Sequence, residues 1–147
     1  MNNFKKMIIS LISIILLSGS LSHGQSELVM DLSFFKKFSS ISAISRDVYL
    51  EGYLNSIIIA RGKIISITPS DRYKKKYKIT IESKEAVKFG QRFIFYVFLE
   101  NENAAELLTP ETDFEFKGQF MGYTPANSKR TWYIIDLILM DASSIIK

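Results

Sequence analysis

The chain has 147 residues, of which 47% are hydrophobic and 13% aromatic, so it is long enough for one packed domain and too apolar for a disordered chain. It contains no cysteine, which excludes disulfides, thiol nucleophiles, cysteine zinc sites and iron–sulfur ligation. Its formal net charge is +4, and near +2 without the two lysines of residues 1–24, which is weaker than the basic balance of a general nucleic-acid binder.

Residues 1–24 have the pattern of a secretory signal peptide. Lys5 and Lys6 precede an apolar run from Met7 to Leu17, and small and polar residues follow. We expect cleavage near Gln25, which leaves seventeen basic residues against fifteen acidic ones. The run is shorter than the ~20 residues that a membrane span needs, so no stable span is expected after cleavage, with an uncleaved anchor as the alternative. The mature protein is predicted to be periplasmic or secreted.

A helical lead-in is predicted over residues 25–56. Apolar residues recur at helical spacing between Ser26 and Ser40, at Leu28, Leu32, Phe35 and Phe38. The stretch from Ser39 to Asp47 is serine-rich and is interpreted as a linker. The pattern from Val48 to Asn55 fits both a strand and a helix, and we favour the helix.

The strands are predicted from Ile57 onward, over residues 57–141. The run Ile57–Pro69 is rich in isoleucine, which favours extended backbone, and it ends at a proline, which cannot donate within a sheet. Gly62 inside this strand suggests a bulge or a bend. Tyr77–Glu82 alternates between apolar and polar residues, which indicates a half-buried strand. Phe93–Leu99 is apolar on both faces and is expected to be central.

Two further strands and a short helix complete the predicted elements. Asn101 to Leu108 is predicted to be a capped short helix that ends before Pro110. Phe114–Phe120 alternates as a strand, and Thr131–Asp141 forms the last strand. Turns are predicted at residues 84–91 and 123–130, and residues 142–147 are interpreted as a tail.

This order of three strands, a short helix and a two-strand hairpin resembles the OB-fold, a five-stranded Greek-key barrel. Three segments carry the resemblance: Ala-Arg-Gly-Lys-Ile-Ile at 60–65, Asn-Ala-Ala-Glu-Leu-Leu at 103–108 and Phe-Glu-Phe-Lys-Gly-Gln-Phe at 114–120. At the level of the fold they resemble small exported bacterial proteins of the tRNA-anticodon-binding-like OB type. The expected fold class is therefore mainly β: a five-stranded OB-fold Greek-key barrel, with a short helix between strands 3 and 4 and an N-terminal helical lead-in.

The resemblance implies a ligand surface on the second and third strands of the barrel, flanked by two loops. Both loops are basic and aromatic, and they supply the predicted ligand-binding residues Arg72, Tyr73, Lys74, Lys75, Lys76, Lys129, Arg130 and Trp132. Cations beside aromatic rings suit an anionic polymer. The alternative is that these loop charges are only solvated.

Two functions follow from these patterns. The first is an exported, non-enzymatic binding module whose partner is an anionic ligand or an envelope protein, with cytoplasmic nucleic acid not expected. The second is a structural or protein–protein interaction role through apolar strand faces. The residues proposed for that second role are Ile94, Tyr96, Phe98, Ile134, Ile138 and Met140.

No catalytic residue, metal or cofactor is predicted. The single histidine, His23, lies in the predicted signal peptide, so catalytic triads and imidazole metal sites are not expected in the mature chain. Asp136 stands out because it interrupts an apolar strand, where an unpaired buried carboxylate is costly. We expect it either to face solvent or to pair with Arg61, Lys63 or Lys117.

Overall fold

Residues 25–140 are described by a computed structural model of the protein, so the predicted signal peptide and tail lie outside the described residues. The described elements follow one another in the order β1 (Glu27–Met30), α1 (Leu32–Ser40), α2 (Ala43–Glu51), β2 (Ile57–Pro69), β3 (Tyr77–Glu82), α3 (Lys84–Val87), β4 (Arg92–Leu99), α4 (Glu102–Glu106), β5 (Asp113–Pro125) and β6 (Trp132–Leu139). A 3₁₀ turn at Arg72–Lys74 lies between β2 and β3.

The long strand β2 connects the two sides of the sheet. Its first half pairs with β1 in parallel and with β5 in antiparallel orientation, and its second half pairs with β3. From β3 the sheet continues through β4 and β6 to β5, which returns to β2. The register of the β2–β3 pair shifts between Ile64 and Ser66, an irregularity of the kind that bends a strand. The sheet therefore closes partly into a ring.

Helix α1 packs where β4 and β6 begin. Asp31 caps the helix by accepting a hydrogen bond from the backbone N–H of Phe34 at 3.0 Å. The rings of Phe35 and Phe38 lie 5.0 and 5.3 Å from that of Phe93 in β4, and Phe38 also contacts Tyr133 in β6. All four of these rings are fully buried. The N-terminal segment is therefore part of the core.

The mainly β class is confirmed, whereas the predicted number of strands is wrong. The five predicted strands correspond to β2–β6, and β2 has the predicted bounds. The sixth strand, β1, lies where the sequence pattern predicted the first turn of a helix. Residues 27–30 pair in parallel with Ile57–Ala60, so hydrogen bonds to a distant strand override the local helical pattern. Helix α1 begins only after Asp31.

Three other boundaries differ from the predictions. Helix α2 begins at Ala43 inside the predicted linker, and it ends at Glu51 inside the segment where helix was favoured. The predicted turn at residues 84–91 contains α3, whose cap Ser83 accepts from the N–H of Ala86 at 3.2 Å. Strand β5 runs past the predicted loop start to Pro125, because its pairing with β6 resumes after a register shift beyond Phe120.

Gly62 is required by close packing, and the bend of β2 lies elsewhere, at the register shift beyond Ile64. A Cβ on Gly62 would lie 2.8 Å from both the carbonyl carbon of Glu82 and Cγ2 of Ile81. Those atoms belong to β3, so the absence of a side chain lets the two strands approach.

We predict that Gly62→Ala lowers the free energy of unfolding by ~1–3 kcal/mol, because the added methyl forces β2 away from β3. The measurement is urea denaturation of the variant protein. Gly122→Ala in β5 is the matched control, since a Cβ there would have no atom within 4 Å. Equal losses of stability in the two variants would contradict this account.

Candidate ligand-binding face

The outer face is the outward-pointing surface of β3, β4 and β6. Side chains alternate along a strand, and in β4 Phe93, Phe95 and Val97 point into the core. The intervening residues therefore point outward, together with their neighbours on β3 and β6. The outer face consists of Lys78, Thr80, Glu82, Arg92, Ile94, Tyr96, Phe98, Trp132, Ile134, Asp136 and Ile138.

Three cations lie over aromatic rings of this face. Nζ of Lys78 is 4.4 Å from the ring centroid of Tyr96, and Cζ of Arg92 is 4.4 Å from that of Trp132. Cζ of Arg72, from the loop between β2 and β3, is 5.9 Å from the ring centroid of Phe98. All three distances are within the range of a cation–π contact.

The three pairs form a line along β4. Arg92 begins the strand, Tyr96 lies in its middle and Phe98 near its end. At a rise of ~3.3 Å per residue, the line from the first pair to the last is about 20 Å long. The loop between β2 and β3 lies at one end of the line and the loop between β5 and β6 at the other. The two predicted ligand loops therefore flank the face from opposite ends.

Asp136 is buried in the outer face, with 5% of its surface exposed. Its Oδ2 accepts a hydrogen bond from the hydroxyl of Tyr73 at 2.9 Å, and a guanidinium nitrogen of Arg72 lies 2.7 Å from the same oxygen. Burial, followed by the interaction with this carboxylate, raises the pKa of the Tyr73 hydroxyl. The buried carboxylate is therefore paired, and its partners lie in a loop, whereas the sequence pattern predicted partners on the strands.

The three partners expected for Asp136 are wrong. Arg61, Lys63 and Lys117 pair with the carboxylates of Glu85, Glu111 and Glu27, respectively. For Arg61 and Lys63 the reason is the topology, since β6 lies between β4 and β5 and is not a neighbour of β2, which carries both residues. Lys117 is on the neighbouring β5, but the residue of β5 opposite Asp136 is Gly122, five positions further along. The loop between β2 and β3 instead reaches Asp136.

This loop has an uncommon backbone conformation. Tyr73 and Lys74 have φ angles of 56° and 57°, in the left-handed region that residues with a Cβ rarely adopt. Such residues cost of order 1–3 kcal/mol each and persist only where surrounding contacts hold them. The contacts of Arg72 and Tyr73 with Asp136 are contacts of that kind.

The predicted lysines lie at both ends of the face. Lys74, Lys76 and Lys129 are exposed. Lys75 is partly buried, and its Nζ is 3.9 Å from a carboxylate oxygen of Glu100, a weak surface pair. These four residues extend the positive charge of the face beyond the ends of the strands.

Arg130 is directed towards helix α2. Its Nε donates to Oδ2 of Asp47 at 2.9 Å, and Oδ1 of the same carboxylate accepts from the hydroxyl of Tyr133 at 2.7 Å. The backbone carbonyl of Arg130 accepts from the buried guanidinium of Arg46 at 2.9 Å. The side chain of Arg130 thus ties the loop to the helix, while Trp132 joins the outer face.

Sequence reasoning did not assign Lys78 and Arg92 to the ligand surface, and it gave Tyr96 to an apolar face. The alternation within each strand places all three on the outside. Their association with specific partners depends on the register, in which Thr80 lies opposite Tyr96 and Arg92 opposite Trp132. That register is a property of the folded sheet.

Two properties of residues 25–140 bear on other kinds of site. In this part of the chain, His, Cys, Asp and Glu side chains form no group of three that could hold a metal ion. The helices of the same residues are all too short or too polar to cross a membrane.

Comparison with known proteins gives structural matches of low sequence identity. No protein-family model and no curated protein sequence matches the chain. A crystal structure from Klebsiella pneumoniae, named "putative nucleic acid-binding lipoprotein", shares 16% identity over 78% of this chain and 92% of its own, with a TM-score of 0.47. Entamoeba histolytica asparaginyl-tRNA synthetase shares 17% identity over 59% of this chain and 20% of its own, with a TM-score of 0.35.

We predict that the stability of the protein falls as the pH rises above about 10, the pKa of an unperturbed tyrosine. Burial, followed by the contact with Tyr53, raises the pKa of Tyr49 to about 12. Burial, followed by the contact with Asp47, also raises the pKa of Tyr133. The folded state therefore keeps protons that the unfolded chain releases, so alkaline pH favours unfolding.

Urea denaturation at about pH 8 and about pH 11 measures this effect, together with tyrosinate absorbance of the folded protein. Tyr133→Phe is the comparison variant and should show a weaker pH dependence, since it removes one of the retained protons. A stability that does not change across this interval would show that these hydroxyls titrate normally.

Proposed function

We propose that the protein is an exported, non-enzymatic binding module of the OB-fold type that holds an anionic polymer or envelope component on its outer face. Two observations support the OB type: the order of elements from β2 to β6, and the return of β5 to β2, which brings five strands into one partly closed ring. Export rests on the signal-peptide pattern of residues 1–24.

This proposal rests on the line of three cation–aromatic pairs along β4. At the two pairs whose rings are partly exposed, those of Tyr96 and Trp132, the cation presents positive charge beside a flat apolar surface. At the third pair the ring of Phe98 is buried, so Arg72 contributes charge alone. An anionic chain that carries rings can use both, because its charges meet the cations while its rings stack. The line of pairs is about 20 Å long, because β4 rises ~3.3 Å per residue. A line of that length can contact several units of an extended polymer.

The charge that remains on the face is positive. Its two acidic residues are both paired: Oε1 of Glu82 accepts from Nε of Arg92 at 2.8 Å, and Asp136 binds Arg72. Lys78 lies over a ring, and its charge is not offset by a carboxylate contact in the described residues. Together with the exposed lysines of the two loops, it makes the surface attractive to a polyanion.

The burial of the apolar residues favours this function over the apolar-interaction alternative. Ile94 and Phe98, which were expected to meet a partner, are only 7% and 1% exposed. The ring of Phe98 is covered by Tyr73, whose ring centroid is 5.1 Å away. The apolar surface left for another protein is therefore smaller than the sequence pattern suggests.

We predict that changing Lys74, Lys78 and Arg92 together to serine abolishes the retention of the mature protein on a carboxylated polysaccharide matrix at low salt. Loss of three cation contacts should weaken binding by roughly tenfold or more. The matched control changes Lys36, Lys37 and Lys88 to serine, which removes the same charge away from the face, and should remain bound. Added salt should release the unchanged protein.

Two results would overturn the proposal. Equal retention of the face variant and the control variant would show that net charge alone binds the matrix. Sedimentation that shows self-association insensitive to salt would favour the apolar-interaction role instead.

A further inference from the structure

The carboxylate of Asp136 occupies a position that is shaped for an anionic group. A guanidinium and a phenol hydroxyl converge on one of its oxygens, at 2.7 and 2.9 Å. Both donors come from the loop between β2 and β3, whereas the carboxylate comes from β6. The ring of Phe98 forms the floor beneath them, in contact with Tyr73 and Arg72.

We propose that Arg72 and Tyr73 form a carboxylate subsite of the outer face, that Asp136 is its internal occupant, and that a carboxylate of the ligand replaces it. The replacement step rests on the proposed function, whereas the subsite itself is a property of the loop and the strand. The ligand class that follows is an acidic polymer whose anionic groups are carboxylates.

The donors and their surroundings favour a carboxylate. Charge-assisted hydrogen bonds from a guanidinium and a hydroxyl to a carboxylate oxygen are among the stronger polar contacts in proteins, and a nearby apolar ring strengthens them by excluding water. Asp136 shows that the space between the loop and β6 accommodates this group. Because both donors belong to the loop, a ligand carboxylate can bind the same two groups once the loop lifts from β6.

Three observations make the exchange accessible. The side chain of Arg72 is 56% exposed, so a ligand can reach it while Asp136 is still bound. The left-handed backbone at Tyr73 and Lys74 is strained, so lifting the loop relieves part of the cost of breaking its contacts. Asp136 is covered by this loop, and it gains water as the loop lifts.

Chemical rescue of Asp136→Ala tests the subsite. Removing the carboxylate should loosen the loop and raise the rate of trypsin cleavage after Arg72 and Lys74 about tenfold, since a charge-assisted contact is lost. Acetate or formate should restore resistance in this variant, and chloride at equal ionic strength should not. Asp113→Ala, which removes an exposed carboxylate paired with Lys84, is the control and should show neither effect.

Two outcomes of this experiment overturn the proposal. If acetate fails to restore resistance, the donors do not form a subsite for a free carboxylate. If phosphate restores it as well as acetate does, the subsite is not selective for carboxylates, and a phosphate polymer becomes the better ligand.

Asp136→Asn tests the exchange and also serves if the alanine variant does not fold. A neutral occupant of the same shape competes less well for Arg72, so retention on the carboxylated matrix should increase severalfold. Asp113→Asn makes the same change of net charge and should increase the retention less.

Weaker retention of Asp136→Asn would overturn the replacement step. Failure of the unchanged protein to bind the matrix would overturn the proposed function, while the rescue result would still decide the subsite.

Discussion

The structure depends on the pairing of β2 along both of its edges. Its first half is held between β1 and β5, and its second half pairs with β3 after a register shift beyond Ile64. An unpaired β-strand edge invites association with other chains, and in this arrangement the start of β2 is paired on both edges and its second half on the edge that faces β3. Because β5 and β3 are thereby fixed to one strand, the remaining strands β4 and β6 lie side by side between them.

That juxtaposition creates the outer face. Strands β4 and β6 are far apart in sequence and run parallel, so each residue of one strand has a fixed neighbour on the other. Arg92 lies opposite Trp132, and Tyr96 lies opposite Asp136. The N-terminal helices contribute from the opposite side, where the phenylalanines of α1 fill the core and Arg46 donates to the carbonyl of Arg130 in the loop between β5 and β6.

The outer face carries both cations and paired carboxylates. Its cations lie over rings, while its two carboxylates are neutralised by Arg92 and Arg72. The contact of Asp136 with the strained loop joins two elements, since the carboxylate lies in β6 and its donors lie in the loop between β2 and β3. Electrostatic pairing of this kind holds the loop in place, and we propose that a ligand carboxylate competes for the same donors.

The sequence by itself determined the mainly β class and the bounds of β2. Isoleucine-rich runs, the alternation of apolar and polar residues, and prolines affect the backbone within a few residues, so their effect can be predicted locally. It also identified the loops that flank the face, and Asp136 as a residue that needed a partner. Tertiary structure decided the strand β1, the partner of Asp136 and the role of Arg130. Each of these depends on contacts between segments distant in the chain, and local propensity carries no information about which strands become neighbours.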